Sequence, residues 1–267
     1  MVDAPASTSP AILSVRNLAR SFGGLHAVDG ATFTVQPGSI TALIGPNGAG
    51  KTTLFNLVTG FIKPDRGEVE LRGGSVFRHS PHAIAKRGMM RTFQITKALS
   101  AMTVMDNMTL AAGNQSGERL TGLLAHPFRW RRTDAHNRER AMTILERFRL
   151  ADHAHAYAGT LSGGQRKLLE FARLLMAEPQ LVLLDEPLAG VNPVLGEQIL
   201  VHMHDLRREQ HMTFLFIEHD IEAVMNNADV VIVMAQGRVI ASGLPSEVRQ
   251  DPAVIDAYLG THAEEIA

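Results

Sequence analysis

The chain has 267 residues, 45% of them apolar, with 26 basic and 27 acidic side chains and a formal net charge of -1. That length and apolar content suffice for one large domain, or a domain with an inserted lobe, and the balanced charge argues against an electrostatic grip on nucleic acid. The absence of cysteine removes disulfide and thiolate chemistry and fits a reducing compartment, while no apolar run reaches the roughly 18–20 residues that span a bilayer.

Residues 1–10, MVDAPASTSP, lack the basic start and apolar centre of a signal peptide and read as a loose tail. Ile12–Leu18, Thr32–Val35 and Ile40–Ile44 read as strands, Lys51–Thr59 as a helix, and Glu68–Arg72 as a strand set between Gly67 and Gly73. From about Thr103 to Glu178 the patterns are helical. Thr133–Phe148 carries acids and bases at helical spacing around Met142, Ile144, Leu145 and Phe148, and the polar stretch Asn114–Gly122 reads as a loop. Leu181–Leu184 is a continuous apolar run of the kind found in buried parallel strands. Pro193–Glu209 follows as a helix with proline in its first turn, then Thr213–Ile217 and Val230–Met234 as strands. Strands alternating with helices predict an α/β sheet covered on both faces. Residues 11–87 and 179–260 would form that core, 88–178 a helical lobe inserted in it, and 261–267 a second tail.

Gly45-Pro-Asn-Gly-Ala-Gly50-Lys51-Thr52 matches G-x-x-x-x-G-K-[ST] in full, between a predicted strand and a predicted helix. In such a loop Gly45, Asn47, Gly48, Ala49 and Gly50 let backbone N–H groups wrap phosphates without Cβ clashes. Lys51 would pair with the β- and γ-phosphates, the Thr52 hydroxyl would bind Mg2+, and Thr53 would reach the α-phosphate. Asp185 closes the run LVLLD, where a carboxylate beside a phosphate loop can hold the hydration shell of Mg2+. Glu186 comes next, placed to polarise a water for attack on the γ-phosphorus.

A second glycine-rich helix start, LSGGQRKLLEFAR at Leu161–Arg173, reads as a helix with bare backbone N–H groups, and hence a second anion site.

Taken together, GPNGAGKTT, LSGGQ and LVLLDEP resemble the ATP-binding cassette (ABC) ATPases in order and spacing across about residues 12–243. The resemblance implies a P-loop NTPase fold, with a RecA-like core, an antiparallel β-subdomain and an inserted α-helical lobe. It implies that Gln94, in RTFQ, contacts Mg2+ or the attacking water, that His219, in FIEHD, contacts the γ-phosphate and orients Glu186, and that Phe22, in RSFGG, stacks on adenine. It implies a head-to-tail dimer with two ATP molecules at the interface. In that dimer Ser162, Gly163, Gly164 and Gln165 of one subunit donate to the γ-phosphate held by the other. The segment Ala189-Gly190-Val191-Asn192 departs from the family by ending in Asn rather than Asp, which puts the strength of coupling across the dimer in question.

With one cassette and no membrane span, such a chain would act on separate permease subunits, as a peripheral protein on the cytoplasmic face of the membrane. GMMRTFQITKALSAMTVMDNM, LTGLLAHPFRWRR, LAGVNP and the AYLG at Ala257–Gly260 resemble the longer ATPase of branched-chain (hydrophobic) amino-acid importers. That system pairs the longer ATPase with a shorter paralogue and receives its solute from an extracytoplasmic binding protein. A groove beside Gln94 is the expected dock for a permease helix. The basic cluster Phe128–Arg132 reads as a solvated lobe surface or a contact with lipid headgroups or permease. Lipid or drug exporters share the same catalytic set and stand as the alternative, with a nucleic-acid-handling ATPase behind them.

Overall fold

The computed structural model describes residues 10–91, 99–112 and 127–264. Two compact units share the chain. One takes the residues up to Arg91 together with Gln180–Ala189 and Gly196 onward; the other takes Thr92–Pro179 and Gly190–Leu195. In chain order the elements are β1 (Leu13–Phe22), β2 (Leu25–Val35), β3 (Ile40–Ile44), α1 (Lys51–Val58), β4 (Arg66–Leu71), β5 (Gly74–Ser75), α2 (Pro81–Ala85), β6 (Met89–Arg91), α3 (Val104–Ala111), α4 (Pro127–Arg147) and α5 (Gly163–Leu175). There follow β7 (Leu181–Asp185), α6 (Pro193–Gln210), β8 (Thr213–Ile217), α7 (Ile221–Asn227), β9 (Val230–Ala235), β10 (Arg238–Gly243), α8 (Pro245–Val248) and α9 (Pro252–Glu264).

The first unit holds two sheets, ordered β2-β1-β4-β5 and β10-β9-β3-β8-β7-β6. The four-stranded sheet is antiparallel. In the six-stranded sheet β9, β3, β8, β7 and β6 run parallel, and β10 returns antiparallel on β9. Every residue of β3, β7 and β8 is buried. That explains why ITALI, LVLLD and TFLFI are near-continuous apolar runs: a parallel sheet is covered on both faces, and each fully buried Leu, Ile or Phe contributes roughly 1.5–3 kcal/mol. Leu43, Leu183 and Leu215 share one core with Leu54 and Phe55 of α1 and with Val15, Val28 and Val69 of the smaller sheet.

Two strands of the large sheet escape the sequence reading. Met89–Arg91, expected inside the helical lobe, instead pairs with Leu181–Leu183 as the edge strand β6, so the strand-bearing unit runs to Arg91 rather than ending at residue 87. Three residues are too few to display a period of two. Arg238–Gly243 forms β10 through a tight hairpin in which Gln236 (φ 50°) and Gly237 (φ 78°) are both left-handed, the geometry that matches strand twist. Residues 261–264, expected in a tail, continue α9.

In the second unit α3 brings Val104, Met105 and Met108 into a core with Ala141 and Leu145 of α4 and Leu168, Leu169 and Ala172 of α5. Phe148 meets Phe171 edge to face, with ring centres 5.7 Å apart and planes at 71°. Asn107 is fully buried. Its Oδ1 accepts the Leu99 N–H at 2.9 Å, and its amide donates to the carbonyls of Leu99, Met102 and Thr103, which satisfies the loop leading into α3. Thr103 caps that helix by accepting the Asp106 N–H at 3.0 Å. The segments holding Gln94, the Asn114–Gly122 loop and most of the N-terminal tail lie outside the described residues. So do the side chains of Phe128–Arg132, whose backbone belongs to α4.

Candidate functional site

Ligands in open α/β sheets gather outside the carboxyl ends of the strands. The carboxyl ends of the adjacent strands β3, β8 and β7 carry the loop Gly45–Gly50, the pair Glu218-His219, and the pair Asp185-Glu186. Register holds them level, since Leu43 pairs with Ile217 and Ile217 with Asp185.

The loop needs its glycines. A Cβ on Gly45 would fall 2.1 Å from the Met234 carbonyl oxygen and one on Gly50 2.2 Å from that of Ala27, and both residues have positive φ. Gly50 is the left-handed N-cap of α1, and no side chain caps this helix, so its first amides keep no intrahelical partner. Asn47, Gly48 and Thr52 are exposed, Ala49 is buried and Thr53 is half-buried. Lys51 is buried and folds its ammonium onto the loop, donating to the carbonyls of Gly45 (2.7 Å) and Pro46 (2.9 Å). Burial holds the Lys51 pKa below the usual lysine value, and the carboxylates of Glu186 and Asp185 pull it the other way. These bare amides with a cation beside them suit a polyphosphate.

Glu186 sits at φ 50°, the left-handed region that a non-glycine side chain enters at a cost of about 1–3 kcal/mol. Its Oε1 lies 2.9 Å from Nε2 of His219. Asp185 is buried, and its Oδ2 accepts from the Arg91 guanidinium at 2.6 Å. Among the described residues no cluster of three or more His, Cys, Asp or Glu could hold a metal. One carboxylate and one exposed hydroxyl, Asp185 and Thr52, fit an ion held chiefly by phosphates and water, the habit of Mg2+. Phe22 is 44% exposed, with the Arg20 guanidinium 5.0 Å from its ring centre.

The second glycine-rich turn, in the other unit, is built differently. Ser162 Oγ accepts the Gln165 N–H at 3.2 Å, and Gln165 Oε1 accepts the Ser162 N–H at 2.9 Å, a reciprocal capping box. The Gln165 amide nitrogen lies 2.9 Å from Nε2 of His153. The amides expected to be bare are therefore partly satisfied within the turn. Gly163 and Gly164 line an open hollow of about 600 Å³ with Arg166, Lys167 and Asn192. The Oδ1 of Asn192 accepts the Leu195 N–H at 2.8 Å and so caps the start of α6.

The family model described as "ABC transporter" matches residues 28–189. The chain belongs to the ABC transporter family. A second family model, "Branched-chain amino acid ATP-binding cassette transporter", matches residues 238–264 of the same cassette. The cassette is 40% identical, over 96% of its length and 98% of the relative's, to a probable branched-chain amino acid transport ATP-binding protein LivG of Archaeoglobus fulgidus. It is 41% identical, over 94% and 99%, to the high-affinity branched-chain amino acid transport ATP-binding protein LivG of Escherichia coli. Among solved structures, a nucleotide-free ATP-binding cassette from an ABC transporter superposes with a TM-score of 0.80 at 37% identity, over 93% of this chain and 99% of that one. The ADP conformation of another such cassette gives 0.79 at 35% identity, over 94% and 100%. The cassette is thus an ATP-binding subunit whose activity is ATP hydrolysis coupled to transport, and among its described residues no helix is long and apolar enough to cross a membrane.

Three residues of the cassette carry structure at this site that its motifs do not announce. Glu218 is buried and accepts the N–H groups of Leu188 (2.6 Å) and His219 (3.2 Å). Burial raises its pKa above the usual carboxylate value, against those two hydrogen bonds. Tyr258, on α9, takes the Gly45 N–H on its phenol oxygen, and burial raises that phenol's pKa. Arg91 holds Asp185. Only Glu218 had a signal in sequence, as an acid at the end of the buried run TFLFI.

Proposed function

We propose that this cassette is the ATP-hydrolysing subunit of an importer for branched-chain or other hydrophobic amino acids. The reading of the site is carried by the convergence of Lys51, Asp185, Glu186 and His219 at the ends of three neighbouring strands, with His219 and Glu186 at 2.9 Å. The Gly45–Gly50 amides and Lys51 would bind the β- and γ-phosphates, Lys51 exchanging two carbonyls for phosphate oxygens. Phe22 would stack on adenine. Thr52 and Asp185, with Gln94, would hold Mg2+, whose bound charge offsets that developing on the γ-phosphoryl group. Glu186 would take the proton of the attacking water, and His219 would fix that carboxylate in place. Stabilisation of this kind comes from positioned charges and donors.

The outward side of the γ-phosphate would be covered by Ser162, Gly163, Gly164 and Gln165 of a second ATPase subunit, itself or a paralogue, in a head-to-tail dimer. ATP would then close the dimer and hydrolysis open it. The dimer would sit on permease subunits at the cytoplasmic face of the membrane, fed by an extracytoplasmic binding protein. The names of the relatives and the match over residues 238–264 favour import of branched-chain amino acids over lipid or drug export.

Glu186→Gln tests the site. It should bind MgATP as the parent does, lose turnover by at least about a hundredfold and form an ATP-dependent dimer; undiminished hydrolysis would remove Glu186 from its role. Identifying the membrane subunits that co-purify, and measuring ATP-dependent leucine uptake in vesicles holding that complex, tests the solute.

A further inference from the structure

Arg91, paired with Asp185 in the interior, has no place in the steps above. Arg91 ends β6 and enters the interior, its side chain 7% exposed and that of Asp185 2% exposed. One terminal nitrogen donates to Asp185 Oδ2 at 2.6 Å, and the other donates to Asn56 Oδ1 on α1 at 2.6 Å and reaches the Thr59 hydroxyl at 3.5 Å. The guanidinium carbon lies 5.6 Å from the ring centre of Phe55. Arg91 thus ties together β6, β7 and the helix that leaves the phosphate loop.

We infer that Arg91 is a positioning residue that serves as the internal counter-cation of Asp185 and sets how much Mg2+ the cassette needs to bind nucleotide. A carboxylate out of water demands a cation. Arg91 supplies one permanently, because guanidinium does not lose its proton, and it supplies it from a rigid fork anchored on Asn56. The acid is therefore held in one orientation and partly neutralised before any metal arrives, so an incoming divalent ion competes with a charge already present. Without Arg91, Asp185 would draw the metal more strongly but from a less defined position.

The inference rests on Asp185 belonging to the nucleotide site, and the test separates the two. The fraction of full-length cassette bound to a fluorescent ATP analogue is measured against free Mg2+ for the parent, Arg91→Met, Asp185→Asn and the double variant, beside kcat for ATP and the melting temperature without nucleotide. Arg91→Met should lower the half-saturating Mg2+ concentration about tenfold, the size expected when a carboxylate loses one charge-assisted hydrogen bond, and should also lower kcat. Adding Arg91→Met to Asp185→Asn should leave the Mg2+ midpoint where Asp185→Asn put it. The double variant leaves no lone buried acid, so it keeps the test available should Arg91→Met alone not fold. A folded Arg91→Met with an unchanged or raised midpoint, or a double variant whose midpoint moves away from that of Asp185→Asn, overturns the inference. An Asp185→Asn protein with the parent's Mg2+ dependence overturns the reading of the site itself. A merely structural Arg91 would lower the melting temperature and leave the midpoint still, which also overturns it.

Discussion

The two glycine-rich helix starts look alike as letters and differ as objects. At Gly50 the helix begins on a left-handed glycine with no side-chain cap, and a buried lysine is tucked beneath it. At Ser162 the helix begins with a reciprocal capping box whose glutamine also meets a histidine. Among the described residues the first start has no side-chain cap, which leaves its amides open to a ligand. At the second, the N–H groups of Ser162 and Gln165 already have acceptors within the turn, so an anion that drew on them would have to displace an internal acceptor. One is a standing receptor; the other must be unlatched.

The sharpest break of this contrast is Gly50→Ala. Its Cβ has no room beside the Ala27 carbonyl, so the nucleotide-dependent rise in melting temperature should vanish. Gly163→Ala meets nothing within 4 Å and should melt like the parent; equal damage from both would erase the distinction. Ser162→Ala should cost about 1 kcal/mol of stability through the lost cap, seen in urea unfolding. Dilute protein should keep its MgATP affinity while ATP-driven dimerisation in the Glu186→Gln background weakens.

The smallest effect sharpens the receptor side. Burial favours the neutral form of Glu218 and raises its pKa above the usual carboxylate value in the folded protein. This acid's contribution to stability therefore grows as pH falls through that raised value and is lost as pH climbs back through it. Protonation takes an acceptor from the N–H groups of Leu188 and His219, which loosens the histidine against Glu186. The acid limb of the kcat profile should begin above the ordinary carboxylate range and move to lower pH in Glu218→Gln; an unmoved limb would assign it to another group.

What could be read in advance followed from how far apart the cooperating residues lie. The Gly45–Thr53 loop is contiguous, and its flanking strand and helix were recognisable from pattern alone. The parallel sheet was recognisable because both its faces are buried, leaving apolar runs such as ITALI and TFLFI. The capping box was also spelled out, in Ser162 and Gln165 three positions apart, although the turn read instead as bare amides. Arg91 and Asp185 are 94 positions apart, and nothing in the local pattern around either one marks the other. Asn107 is no different: a buried amide that organises a loop has the same letter as a solvated one. Strands β5 and β6, with two and three residues, are too short for alternation to declare itself, and pairing with a neighbour is what makes them strands.

The phenol of Tyr258 makes the phosphate loop answerable to the far end of the polypeptide. Its helix lies in the stretch that matches the branched-chain family model, yet the atom it grips is the amide of the first loop glycine. Unwinding or trimming the last turns of that helix would strip an acceptor from Gly45, and the nucleotide would feel the loss with no change in any residue that touches it.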